Sequence, residues 1–167
     1  MKKIILFALV LGFISTNSQA QQKFNESTAN TKKIATKYFN TYLDLDFESL
    51  RKMMHQNISF EDPTAKHIFG GVKQEGIENV YKNFKNTYAS IIEMKQKNLQ
   101  AFFSSETGVF KFTITWSYRS NQLNKVITVS MPLVIVLTVN DNKVVKHVDY
   151  GDYTEYLKQI KQQQSSK

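Results

Sequence analysis

The chain has no cysteine, only two prolines and six glycines, and a single tryptophan in 167 residues. Without cysteine there are no disulfides, no thiol nucleophile and no thiolate metal site, so the core must hold by packing alone. The lipid-modified cysteine that bacterial lipoproteins carry behind their signal is excluded as well. No glycine-rich phosphate loop, nucleophile elbow or Walker motif occurs. The formal net charge is +8, yet the lysines are spread along the chain and form no block. That argues against a nucleic-acid partner, which requires a clustered basic footprint.

What is present begins with Lys2 and Lys3, then an apolar run from Ile4 to Ile14. The run is too short for a membrane span and has the length of a signal core. Ser18 and Ala20 place small residues at −3 and −1 of a cleavage site. Residues 1–20 therefore read as a secretory signal peptide cleaved after Ala20. The mature chain is expected secreted or periplasmic, without a membrane anchor. Residues 21–27 read as a flexible leader, 28–162 as one domain and 163–167 as a disordered tail.

Hydrophobic spacing predicts a helix over 28–45, with Ile34, Tyr38, Thr41, Tyr42 and Leu45 on one side. Asp46 is placed to cap a second helix carrying Phe47, Leu50 and Met54. A third spans 76–88, with Ile77, Val80, Tyr81, Phe84 and Tyr88 in register. The period then changes to two. Strands are predicted at 97–104, 110–119, 125–139 and 143–150, with a loop over 120–124 and a hairpin turn at 140–142. In the second of these, Phe110, Phe112, Ile114, Trp116 and Tyr118 alternate with polar residues. Strand 125–139 is apolar throughout, as expected of a strand covered on both faces. Pro132 marks a bulge or an edge within it. Tyr153, Tyr156, Leu157 and Ile160 follow on a terminal helix. Helices gathered before a run of long strands indicate an α+β fold, a curved and mostly antiparallel sheet wrapped around N-terminal helices into a cone.

The stretch SFEDPTAKH, residues 59–67, poses the functional question. Ile58, Phe60 and Asp62 share one face of a short strand, so a carboxylate ends an inward apolar stripe. Asp62-Pro63 reads either as a turn or as a base at the mouth of a pocket. His147 and Asp149 share a face of the last strand, positioned to relay a proton or to orient a ligand. His55 and His67 lie in loops without a second ligand nearby in sequence, so no metal is expected.

These features resemble the nuclear transport factor 2-like superfamily, in particular its SnoaL-like cyclases and ketosteroid isomerases. The resemblance rests on the order of elements, Phe60-Glu61-Asp62-Pro63, Gly70-Gly71 with Gly76-Ile77, and His147-Val148-Asp149-Tyr150. It implies a mixed, mostly antiparallel sheet, a homodimer through the sheet's outer face, and cofactor-independent chemistry. Asp62 corresponds to the isomerases' general base, and Tyr38 to their oxyanion-donating tyrosine. Their second donor corresponds to Val134, which cannot donate, and one lost oxyanion donor costs on the order of a hundredfold in rate. That argues against steroid isomerisation itself. The expected function is binding of a small apolar molecule in the cone, with Phe60, Phe112, Trp116, Tyr118, Val134 and Asp149 as lining. The alternative is an isomerase, dehydratase or cyclase with Asp62 as base and Tyr38 or His147 as donor, requiring all three to converge on one cavity.

Overall fold

The long first helix, α1 (Lys2–Leu43), sets the axis of the molecule. The computed structural model describes residues 2–120 and 124–165, with side chains from residue 18 on. The helix buries Thr31, Ala35, Tyr38, Phe39 and Tyr42, a stripe centred one residue away from the expected one, with Ile34 and Leu45 at its margin. Upstream it runs unbroken through 21–27, the expected leader. Side-chain pairs four residues apart, Gln21–Asn25 and Gln22–Glu26, support that exposed stretch. No helix among the described residues is long and apolar enough to cross a membrane.

The remaining elements follow as α2 (Phe47–Met53), β1 (Met54–Asp62), α3 (Lys66–Phe69), β2 (Val72–Glu75), α4 (Ile77–Thr87), β3 (Ile91–Ser104), β4 (Thr107–Ser120), β5 (Lys125–Asn140), β6 (Lys143–Gly151) and α5 (Tyr153–Ser165). Asp46 caps α2 as expected, its carboxylate accepting from Ser49 N. Gly76 opens α4 at φ 82°, a conformation that favours glycine. The six strands form one sheet in the order β2-β1-β6-β5-β4-β3. Only β1 and β6 run parallel; the other neighbours are antiparallel. The protein is thus an α+β cone, with α1, α2 and α4 against the concave face. Gly108 lets α1 lie close on β4, because a Cβ there would stand 3.0 Å from that of Ala35. Phe39 then stacks on Phe110 at 4.3 Å between centroids.

Four elements depart from the sequence expectations. α3 and β2 fall between Asp62 and Gly76, where no element is expected, and both are too short to show a period. β3 begins at Ile91 rather than 97, hidden because Glu93, Lys95, Gln96 and Lys97 make both its faces polar. It is an edge strand held by pairing with β4, and its charges discourage further pairing. Within one chain β5 is covered on one face: odd-numbered residues 127–139 are buried, while Val126, Pro132 and their even-numbered neighbours lie outward. Residues 121–123 of the expected loop lie outside the described residues.

β5 outruns β6, whose pairing with it ends at Leu133–Gly151. Beyond that point α5 covers the open edge. Gln159 bonds both N and O of Ser130 (2.9 and 2.7 Å), and Gln163 reaches N and O of Thr128 (3.4 and 2.8 Å). Pro132 sits where the two covers meet, its carbonyl accepting from Asp152 N at 3.0 Å. The proline marks an edge, and its pairing with β4 shows no bulge. The same glutamine contacts carry α5 to Ser165, into the expected tail; residues 166–167 lie outside the described residues.

Candidate functional site

The two-residue period of β1 puts Ile58, Phe60 and Asp62 inward, as the sequence predicts, all three buried. Asp62 ends that stripe beside a cavity of about 560 Å³. Its walls come from β1, from the segment between α3 and β2, from the end of α4, from the concave face of β3–β6, and from α5. Aromatic rings dominate: Tyr42, Phe60, Tyr88, Trp116, Tyr118, Tyr153 and Tyr156 line it, with Met94, Ile114, Met131 and Leu133 between them. Trp116 stacks on Tyr156 at 5.8 Å and 14°. Phe69, more than half exposed, sits edge-on to Tyr153 and Tyr156.

Two carboxylates reach the cavity, Asp62 and Asp149. Their bonding differs. Asp62 Oδ1 accepts from Thr64 N (3.1 Å), Thr64 Oγ1 (2.7 Å) and Ala65 N (2.9 Å), and Oδ2 accepts from Tyr153 OH (2.5 Å). Thr64 Oγ1 in turn accepts from Gly151 N at 2.9 Å. Asp62 therefore ties the end of β1 to the loop behind it, to the end of β6 and to the start of α5. Asp149 Oδ1 takes a single bond, from His147 Nε2 at 2.8 Å. Its Oδ2 has no partner among the described residues. It is also not a sealed atom: Arg51 Nε is the one fully buried, unbonded polar side-chain atom among them. Oδ2 is open to the cavity.

His147 is fully buried one layer behind this wall. Four rings box it in, Tyr38, Tyr42, Phe60 and Phe84, with centroids 5.1–5.7 Å away. Its Nδ1 faces Tyr38 OH at 3.3 Å. Tyr38 has no other acceptor among the described residues, which assigns the hydroxyl as donor and leaves the ring proton on Nε2, toward Asp149. The result is a line Tyr38–His147–Asp149 ending in the cavity. Burial, and after it the Asp149 charge, raises the Tyr38 hydroxyl well above the ordinary tyrosine range. Tyr42 is raised by burial and by its neighbour Tyr88, and Tyr88 by burial and Asp149. Burial and the Asp62 bond do the same for Tyr153. These hydroxyls remain protonated donors through neutral pH.

No family model matches the sequence, and no curated protein matches it. Solved structures do match in fold. A proposed SnoaL-like polyketide cyclase from Shewanella putrefaciens CN-32 superposes with a TM-score of 0.70 at 20% identity, over 79% of this chain and 96% of that one. An LEH-like epoxide hydrolase from M. tuberculosis gives 0.62 at 14% identity, over 81% and 92%. A hypothetical protein with a ketosteroid isomerase-like fold from Catenulispora acidiphila DSM 44928, in complex with trimethylamine, gives 0.62 at 13%, over 75% and 90%. The chain shares the fold of these SnoaL-like and ketosteroid isomerase-like structures.

Within this cone, the expected site residues divide. Phe60, Asp62, Trp116, Tyr118 and Asp149 line the cavity; Tyr38, His147 and Phe112 do not. Tyr38 and His147 reach it only through Asp149, and Phe112 is packed edge-on to Phe39. The expected convergence of Asp62, Tyr38 and His147 on one cavity does not occur. Val134 is a correction: it lies on the outer face, in an open groove with Lys111 and Tyr150. The inward neighbours are Met131, Leu133 and Ile135, so this part of β5 offers no side-chain donor in their place. His67 is exposed on α3 and His55 lies in β1, its Nδ1 accepting from Asn57 N. No group of three metal-ligating side chains assembles among the described residues. The sequence reading missed Tyr42, Tyr88, Tyr153 and Tyr156 as wall residues. Their signal was present, since all four fall on the predicted apolar stripes of their helices.

Proposed function

We propose that the protein binds a small organic molecule with a largely apolar body in the cavity of its cone. The observation that carries this reading is the cavity itself. It lies in the range of small-molecule sites, roughly 300–1,000 Å³, and its wall is aromatic with a few polar groups. Trp116 is the only tryptophan and stands in that wall, so its emission reports occupancy. Titration with small aromatic ligands is expected to change Trp116 emission saturably. Leu133→Phe, which narrows the cavity, should weaken the response. No saturable change with any of a diverse set of ligands, and no thermal stabilisation, overturns the reading.

The bonding of Asp149 favours a second reading, a cofactor-independent isomerase, dehydratase or cyclase. A general base needs a lone pair directed at the substrate, and in Asp62 both oxygens are already engaged. Asp149 has a free oxygen in the cavity, while His147, itself bonded to Tyr38, holds the other. The base in this reading is Asp149, with Tyr42 or Tyr88 as donor. Export to the periplasm or medium is part of the proposal, on Lys2, Lys3 and the apolar run 4–14. So is a homodimer through the outer sheet face, where Phe102, Val126 and Tyr150 are 64%, 46% and 45% exposed. N-terminal sequencing of the exported protein and sedimentation equilibrium test these two points.

A further inference from the structure

The cavity is apolar in body but not neutral. Asp62 and Asp149 both open on it, each at most 5% exposed, and no lysine, arginine or histidine among the described residues lines it. His147 stands behind the wall and does not line the cavity. Asp149 Oδ2 has no hydrogen-bond partner among the described residues and opens on the cavity, where a polar oxygen poorly supplied with water is costly to leave unpaired. Tyr42, Tyr88, Trp116 and Tyr153 share the cavity wall with these carboxylates, and Tyr153 donates to Asp62 Oδ2. Aromatic faces attract cations through the ring quadrupole, and more strongly where water is excluded. The protein as a whole is basic, so the acidity is local to the cavity. The exposed lysines are screened beyond about 8–10 Å at physiological salt, whereas a charge inside the cavity faces the carboxylates with little screening.

Resting on the cavity-binding reading above, we infer that the ligand carries a positive charge, an amine or quaternary ammonium group on an apolar body. The cationic head takes the place beside Asp149 Oδ2, and the apolar remainder packs on Trp116 and Tyr156. An anionic ligand is excluded by the same two carboxylates.

Matched pairs differing only in charge test this. Benzyltrimethylammonium and neopentylbenzene have the same shape, as do acetylcholine and 3,3-dimethylbutyl acetate. Each is titrated into the full chain, with Trp116 emission and calorimetry as readouts. Both cations are expected to bind at least tenfold more tightly than their uncharged partners, and benzenesulfonate not at all. Tenfold corresponds to about 1.4 kcal/mol. In Asp149→Asn the ratio should fall below about threefold. If that variant does not fold, the wild-type ratios and the benzenesulfonate result still decide. Equal affinities in the wild type, or a preference for the uncharged member, overturn the charge inference and leave the cavity reading standing. Failure of both members of both pairs overturns both.

Discussion

Asp62→Ala decides what the carboxylate at the end of β1 is for. Its four hydrogen bonds hold Thr64, Ala65 and Tyr153. Truncation leaves the buried Ala65 N–H and the Tyr153 hydroxyl without their acceptor, while Thr64 Oγ1 still accepts from Gly151 N. Hydrogen bonds to a charged group contribute about 1.5–3 kcal/mol each, and the four share one anchor, so they do not add in full. The expected loss is about 3–5 kcal/mol. Asp62→Asn keeps an oxygen for Thr64 and Ala65 and turns an amide toward Tyr153, which can accept from it. That variant should lose about 1–2 kcal/mol. Tyr153→Phe alone should lose a similar amount, and the double mutant should show a coupling of about 1–3 kcal/mol between the two residues. Urea unfolding followed by Trp116 emission and far-UV circular dichroism measures all four. An Asp62→Ala loss below about 1 kcal/mol refutes the anchor argument and restores Asp62 as the candidate base.

Two further outcomes follow from the structure. Tyr38 and Tyr42 are buried with hydroxyl pKa values raised above the ordinary range. Folded values above the unfolded value of about 10 mean full stability below pH 10 and loss above it. The slope approaches about 1.4 kcal/mol per pH unit for each such hydroxyl. Absorbance at 295 nm should show both ionising only with unfolding; early, reversible ionisation of all eight tyrosines contradicts the burial. Gln159→Ala with Gln163→Ala uncovers N and O of Ser130 and Thr128 on β5. The pair should cost about 1–3 kcal/mol and promote edge-to-edge association, seen as higher-order species in light scattering; unchanged stability and size distribution refute the cover.

Much of the frame was legible because the burial period is written along the chain. The stripe Ile58–Phe60–Asp62, the alternation Phe110 to Tyr118 and the spacing Ile77 to Tyr88 each need only local neighbours to be read. β3 was partly missed for the complementary reason. Its pairing with β4 is a property of the partner strand, and its own polar residues show no period. A register shift between Thr138 and Val139 brings Val144 onto the buried side of β6, where strict alternation places it opposite His147. Val134 was misplaced because a position counted from Pro132 carries no information about which side of β5 faces in.

The site itself was legible as residue types and illegible as bonds. Asp62, Tyr38 and His147 were all found, but Tyr153 lies 91 residues from Asp62 and His147 lies 109 from Tyr38, beyond any local pattern. Those partners decide the chemistry. Tyr153 and the 64–65 backbone engage both oxygens of Asp62, so a residue that looks like a base becomes a brace. His147, itself bonded to Tyr38, holds one oxygen of Asp149 and leaves the other open to the cavity, which is what the second reading above asks of its base. Interchanging those two hydrogen-bond environments would interchange the two roles without altering either aspartate.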